Sequence, residues 1–394
     1  MSDWQPTRAA GLEQMQAFAP RMGRAYSANR NTDFGPGLNT SVSALSPWIR
    51  RRLITEEDAV RAAIEAHGAR GADKFIQEVL WRTYWKGWLE MRPDVWTRFE
   101  IERARHDPMV EAVRAAEEGR TGIDGFDDWA RELVETGWLH NHARMWFASI
   151  WIFTLGLPWS LGADFFLRHL LDADPASNTL SWRWVAGLQT AGKTYLATAE
   201  NIARFTEGRF RPKGLATEAR PLLEEPVPAA GALPLARRET PDGPYLLLIT
   251  PEDLTPEDTI GPWEVRGVVS VPEPGAGRLG PHPQAFTAGG LADAGQRAAV
   301  RYGHPVQRLP DLSGAELVEA ALAVGARGIV TAYAPVGPTA SALARARPAV
   351  TAAGLDLVMV RRSWDDGLWP LASRGFFPFR EKSESALRGL GLPV

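Results

Sequence analysis

Cysteine is absent from the 394-residue chain. Its absence excludes disulfides, thiolate metal sites, iron–sulfur clusters and a cysteine nucleophile, and it leaves the redox compartment open. No metal site is expected. Long apolar runs are missing too: no stretch approaches about 18 charge-free apolar residues, and the opening MSDWQPTRAAGLEQMQ has no signal-peptide core. A cytoplasmic location without membrane contact is the expectation. Neither sign of charge dominates. The net charge is −3, and residues 1–220 carry 28 basic and 28 acidic side chains, so any nucleic-acid binding has to come from a local groove. No GxGxxG stands at a strand end and no Walker motif occurs; Ala288-Gly289-Gly290 reads as a lone glycine turn.

What is present is unevenly spread. Of the 16 Trp, thirteen lie in residues 1–220, whereas thirteen Pro fall between Pro221 and Pro283. With 45% hydrophobic residues and this length, two domains are expected. The composition shift divides the chain into an all-α domain over 1–215, a Pro-rich linker over 216–243, and a smaller α/β Rossmann-like domain with a parallel sheet over 244–394.

In the first part, helices are expected over 11–19, 55–67, 72–91, 124–137, 140–156 and 159–171 and after Leu196, about nine or ten in all, with 26–37 (YSANRNTDFGPG) a loop. The 72–91 segment is apolar on more than one face, which indicates a helix buried on several sides. On it Glu78, Trp81 and Arg82 share a face, a spacing that also suits a plain ion pair over a core Trp. The hydroxyls Thr40, Ser41, Ser43 and Ser46 precede a Pro-containing helix start, where they serve either as caps or as a phosphate cradle. In the second part, short apolar runs at 245–250, 265–271, 306–309, 328–332 and 355–360 alternate with helices at 315–324 and 339–353, the pattern of a parallel sheet. The run YAPVGP, 333–338, follows a strand at the place where ligands enter such sheets.

Between Gly137 and Gly187, two polar sets interrupt an apolar helical framework: His140, Asn141 and Arg144, then Asp172, Asp174 and Asn178. Polar groups set among apolar residues require partners, and a bound ligand can supply them.

Taken in order, VSALSPWI, FIQEVLWRTYW, TGIDGFDDWARELVETGWLHNHARMW, Trp159 and LLDADPASNTLSWRWVAG resemble the FAD-binding domain of the photolyase/cryptochrome family, over roughly Tyr26 to Phe210. The resemblance implies FAD held by Tyr26, Val42, Ser43, Leu45, Ser46, Arg82, Asn141, Arg144, Asp172, Asp174 and Asn178. Thr40 and Ser41 are register alternatives, since Val42 stands where the family has Thr. Arg144 and Asp172 would pair beside the flavin, and Asn178 would face its N5. Trp182 and Trp159 match the proximal and middle members of an electron relay. His106 stands at the distal position in place of Trp, leaving Trp129, Trp146, Trp151 or another indole to end the relay. Core packing is the ordinary role of such Trp residues.

The same resemblance implies damaged DNA as a partner, with Arg30, Glu78, Trp81, Met145 and Trp184 receiving a flipped dimer, which makes the chain a possible deoxyribodipyrimidine photolyase, a carbon–carbon lyase. Two departures point the other way: His142 replaces an Arg that contacts phosphate, and Trp146 replaces an aliphatic residue. The basic segment ARFTEGRFRPKG, 203–214, suits a DNA backbone contact or a solvated helix end. The alternative is a cryptochrome-like blue-light receptor with a signalling partner. The family's antenna domain, normally first, is here expected after the flavin domain, and whether it holds an antenna chromophore is left open.

Overall fold

A computed structural model of the protein describes residues 4–234, 236 and 242–394. Helices occupy the first half from Arg8 to Phe205, and a five-stranded parallel sheet follows from Tyr245 to Val360. Local chemistry sets many helix starts. Thr7 and Thr198 each accept a backbone N–H at an N-terminus, and Thr55 with Asp58 makes a reciprocal capping box. The Glu56–Gly71 helix kinks at Gly68, whose φ is 67°, the break expected there. The central Asp73–Glu90 helix buries Phe75, Ile76, Leu80, Tyr84, Trp85, Trp88 and Leu89 on several sides, as its apolar pattern indicates.

Several expectations need correction. Twelve α-helical segments lie in the first half among the described residues, because one- and two-turn pieces such as Ser46–Arg50 and Glu111–Glu117 carry too few residues to show a period. Tyr26 sits in the Arg24–Asn29 helix and not in a loop. The expected 140–156 helix is α-helical only over Asn141–Ser149 and continues as a π-helical turn, Ile150–Thr154. Ala288-Gly289-Gly290 is no turn: it lies inside the Pro281–Tyr302 helix. A Cβ at Gly289 would overlap Pro6, and one at Gly290 would press on Leu254, so these glycines admit close packing.

The strands are β1 Tyr245–Ile249, β2 Val265–Ser270, β3 Val306–Arg308, β4 Gly328–Ala332 and β5 Asp356–Val360, all parallel and ordered β3-β2-β1-β4-β5. Every residue of β1 is buried. Leu246 and Leu248 face the Gly314–Ala323 and Pro338–Ala352 helices, whereas Tyr245, Leu247 and Ile249 join a core continuous with the helical half.

The Pro-rich stretch expected as a linker lies partly outside the described residues. Its described part is strapped to the helical half: Gly231 N donates to Met91 O at 2.9 Å, Leu222 N to Ala186 O at 3.0 Å, and Arg92 Nε to Pro228 O at 3.1 Å. After β5, the helices Ser363–Leu368 and Phe376–Gly389 return to the Asp73–Glu90 helix, where Trp364 Nε1 donates to Thr83 Oγ1 and Phe376 stacks on Trp81 at 3.6 Å. Among the described residues, no helix is long and apolar enough to cross a membrane.

Between the halves, Glu90 is buried and accepts from Tyr333 OH at 2.7 Å and from Val336 N. Burial pushes its carboxyl up to about 7, against the pull of Tyr333, Val336 N–H and Arg361, and Asp365 adds to the rise. An acid with a raised folded pKa contributes stability that is fully present below its unfolded value near 4.5 and is lost as pH rises through about 7. The unfolding free energy of wild type, measured against Glu90→Gln by urea denaturation, should therefore fall by about 3 kcal/mol across that window. A difference that stays flat with pH would exclude this assignment.

Candidate functional site

A cavity of about 460 Å³ opens in the helical half, within the size range of small-molecule sites. Helical geometry builds its walls. On the Pro175–Val185 helix, Asn178, Ser181, Trp182 and Val185 recur at three- and four-residue spacing; on the Asp73–Glu90 helix, Glu78, Trp81, Arg82 and Trp85 do the same. Ser46, at the start of the short Ser46–Arg50 helix, follows Val42, Ser43 and Leu45 along a third side.

Asp172 is the electrostatic centre. Arg144 Nη1 lies 3.1 Å from both of its carboxylate oxygens and hydrogen-bonds Oδ2, while Arg82 Nη2 stands 4.0 Å away. Burial raises the Asp172 carboxyl, but Arg144, Arg82 and the Ser46 hydroxyl more than offset it and hold the carboxyl below its usual range. Asp174 stays outside the lining. It caps the Pro175–Val185 helix by accepting from Ser177 N at 2.8 Å and faces Lys86 at 3.5 Å and Arg50 at 3.8 Å. Burial raises this carboxyl too, and Lys86, Arg50 and Arg82 reverse the effect, leaving it strongly lowered.

The structure brings together at the cavity Tyr26, Val42, Ser43, Leu45, Ser46, Arg82, Asn141, Arg144, Asp172 and Asn178, and with them Arg30, Glu78, Trp81, Met145, Trp184 and Trp182. Asn178 Nδ2 donates to Ala163 O at 2.9 Å, which leaves Oδ1 as the acceptor available at the wall. Glu78 is met by Lys74 at 3.2 Å and Arg30 at 3.4 Å. Trp184 stacks on Tyr195, at 5.6 Å between centroids.

Trp182 is buried against Phe166 at 5.1 Å and, at right angles, Trp151 at 6.3 Å. Trp159 lies away from the cavity, beside Phe99 at 5.6 Å. The indoles considered as relay ends, Trp129, Trp146 and Trp151, are at most 1% exposed, so none of them reaches the surface. His106 does reach it, and its Nε2 lies 3.0 Å from Glu102 Oε1.

His142, expected to lack the phosphate contact of an Arg at this position, turns inward. Its Nδ1 donates to Asn31 O at 2.7 Å, and its ring packs between Trp146 and Phe205. Next to it, His140 Nε2 donates to Arg30 O while its Nδ1 accepts from His142 N, a pattern that requires the neutral ring; burial pushes His140 down to about 4. Two histidines thus grip consecutive carbonyls of the loop carrying Arg30.

Ser177, Ser181, Trp85 and Val185 line the cavity without having been singled out from sequence, although Ser181, Trp85 and Val185 stand three or four residues from Asn178, Trp81 and Trp182, an offset that carries that signal. Buried polar atoms at the wall lack hydrogen-bond partners among the described residues: Arg82 Nη1, Asp172 Oδ1, Ser177 Oγ and Trp182 Nε1. Such orphaned groups beside a cavity fit a large, mixed polar and planar ligand with both donors and acceptors. No group of three or more potential metal ligands occurs among the described residues.

The family profile described as the FAD binding domain of DNA photolyase matches residues 75–210. The chain is similar to the deoxyribodipyrimidine photo-lyase of Streptomyces griseus, at 36% identity over 151 residues, 38% of this chain and 33% of that protein. It is also similar to a deoxyribodipyrimidine photo-lyase of Thermus thermophilus, at 34% identity over 197 residues, 48% of this chain and 45% of that protein. A bacterial class III photolyase structure from Agrobacterium tumefaciens aligns with a TM-score of 0.43 and 24% identity, over 52% of this chain and 47% of that one. The chain thus spans less than half the length of these curated relatives.

One packing constraint at this wall is directly testable. A Cβ at Gly162 would overlap Trp182 Cη2 and Cζ3. Gly162→Ala should therefore displace the indole and destabilise the protein by about 1–3 kcal/mol in chemical denaturation. Unchanged stability would mean that Trp182 has room to move.

Proposed function

We propose, from the match of residues 75–210 to the FAD binding domain of DNA photolyase, that the cavity binds FAD and that the chain repairs pyrimidine dimers in DNA under light. The observation that carries this reading is the set of buried polar atoms at the cavity wall without a hydrogen-bond partner, Trp182 Nε1, Ser177 Oγ and Arg82 Nη1 among them, around the Arg144–Asp172 ion pair. When bound, FAD supplies a light-driven electron that is lent to the substrate and recovered.

The residues of the chain hold and orient. Asp172 offers a carboxylate kept ionised by Arg144 and Arg82, suited to ring N–H or amine donors. Asn178 presents Oδ1 as an acceptor, and Ser43 with the backbone of the 42–46 segment offers donors for a diphosphate. Trp81 and Trp184 supply flat faces for bases, and Glu78, flanked by Arg30 and Lys74, offers a carboxylate to a base edge. The exposed Arg204, Arg211 and Lys213 lie in the segment suited to a DNA backbone. Trp182, a buried indole at the cavity wall, is the candidate for the first step of an electron relay.

The purified protein should carry about one FAD per chain, and Asp172→Ala, which strands Arg144, should strip it; a wild type that stays colourless after FAD reconstitution would sink the cofactor reading. With FAD retained, Trp81→Ala and Trp184→Ala should each weaken binding of dimer-containing oligonucleotides by about 1–3 kcal/mol and leave undamaged DNA little affected. Titration at two salt concentrations separates this lesion-specific stacking from phosphate contacts. Equal wild-type affinity for damaged and undamaged DNA at both salts rules out repair and leaves light sensing as the function.

Trp182→Phe should slow light-driven reduction of the bound cofactor, read by absorbance under blue light. A rate equal to wild type excludes Trp182 from the path.

A further inference from the structure

The sheet order reverses between β1 and β4, so the loops after those strands, 250–255 and 333–338, flank the crevice where open α/β sheets take small ligands. Here side chains of the helical half enter it. Arg50 donates from Nη1 and Nη2 to the two oxygens of Glu252, at 2.7 and 3.2 Å, and Thr339 Oγ1 donates to the same carboxylate at 3.1 Å. In the second loop, Tyr333 OH and Val336 N donate to Glu90. A Cβ on Gly337 would lie 2.8 Å from Pro175 Cγ, so the loop packs directly against the start of the Pro175–Val185 helix.

Arg50 continues toward the cavity. Its Nε donates to Ala173 O at 2.9 Å and stands 3.8 Å from Asp174 Oδ2. Asp172 and Ala173 line the cavity, and Asp174 caps the helix that carries Asn178 and Trp182. One guanidinium, 1% exposed, therefore ties the first sheet loop to the segment that sets the cofactor wall.

We infer that this crevice is the socket through which the C-terminal half holds segment 172–174 in place, with Arg50 and Glu252 as positioning residues for the ligand that Asp172 receives. A guanidinium fixed in its plane by a two-point carboxylate partner presents Nε at a set angle. Without that partner the buried donors seek others, and the carbonyl between the two aspartates loses its fixed anchor. The affinity consequence rests on the FAD reading; the ordering of 172–178 does not.

The test compares two buried interface pairs in the full chain. Glu252→Gln keeps the side-chain shape and removes the charge. Glu273→Gln does the same to the partner of Arg51, which has no contact with 172–174 in the hydrogen-bond network and otherwise donates to Pro251 O. FAD affinity of the stripped protein should fall about tenfold in Glu252→Gln, the equivalent of one charge-assisted hydrogen bond, and hold in Glu273→Gln. In FAD-free protein, amide exchange at 172–178 should speed up in Glu252→Gln only. Thr339→Val, which removes a single donor from Glu252, should shift exchange in the same direction if Glu252→Gln fails to fold. Equal effects in the two Gln variants, or unchanged exchange at 172–178 in Glu252→Gln or in its Thr339→Val substitute, overturn the inference. A wild type that takes up no FAD removes the cofactor reading, and the exchange comparison still decides this one.

Discussion

Two carboxylates buried two residues apart, Asp172 and Asp174, are the constraint on which the rest depends. Burying an isolated ionised carboxylate costs several kcal/mol, so each must be met by cations in good geometry. The chain brings these cations from three separate segments: Arg50 from the short Ser46–Arg50 helix, Arg82 and Lys86 from the central helix, and Arg144 from the Asn141–Ser149 helix. Placing these four positions around one turn of chain requires the helices to pack as they do. The cavity is the space left in front of Asp172 once that packing is complete.

The same constraint reaches into the second half. Arg50, Arg51 and Arg52 are all buried, and each finds a carboxylate beyond residue 250: Glu252, Glu273 and Asp365. Arg52 adopts a φ of 51°, uncommon for a residue with a side chain, and its carbonyl accepts from Thr255 Oγ1 at 2.9 Å. Leu254 N donates to Arg51 O at 2.9 Å, so backbone as well as side chains joins the halves. Removing one member of such a pair leaves a buried charge uncompensated, which makes the two halves one cooperative body and not two units on a tether.

How much of this was legible in sequence follows from which forces are local. The Asp73–Glu90 helix and the five strands carry their own apolar periods, and each was placed within a residue or two. The Pro281–Tyr302 helix was missed because two early prolines and paired glycines read as turn chemistry, whereas the glycines serve contacts with Pro6 and Leu254 far away in the chain. At the cavity, Arg144, Asp172 and Asn178 stood out as polar residues in apolar surroundings, yet Arg50 and Lys86 did not. A run of three arginines and a single lysine look like solvated charge until the carboxylates that bury them are known, and those are set by the fold.

His142 shows what a residue swap does beyond the contact it removes. The imidazole reaches Asn31 O, in a space walled by Trp146 and Phe205. Trp146, the other departure, is the wall that makes this possible, and its Nε1 is itself held by Asn201 Oδ1 at 2.9 Å. The two substitutions therefore form one packing solution. Together with His140 they fix the carbonyls of Arg30 and Asn31, and through Arg30 they bear on Glu78 at the cavity mouth. Whatever enters there meets Arg30 and Glu78 on a backbone segment that the two histidines hold from inside the protein.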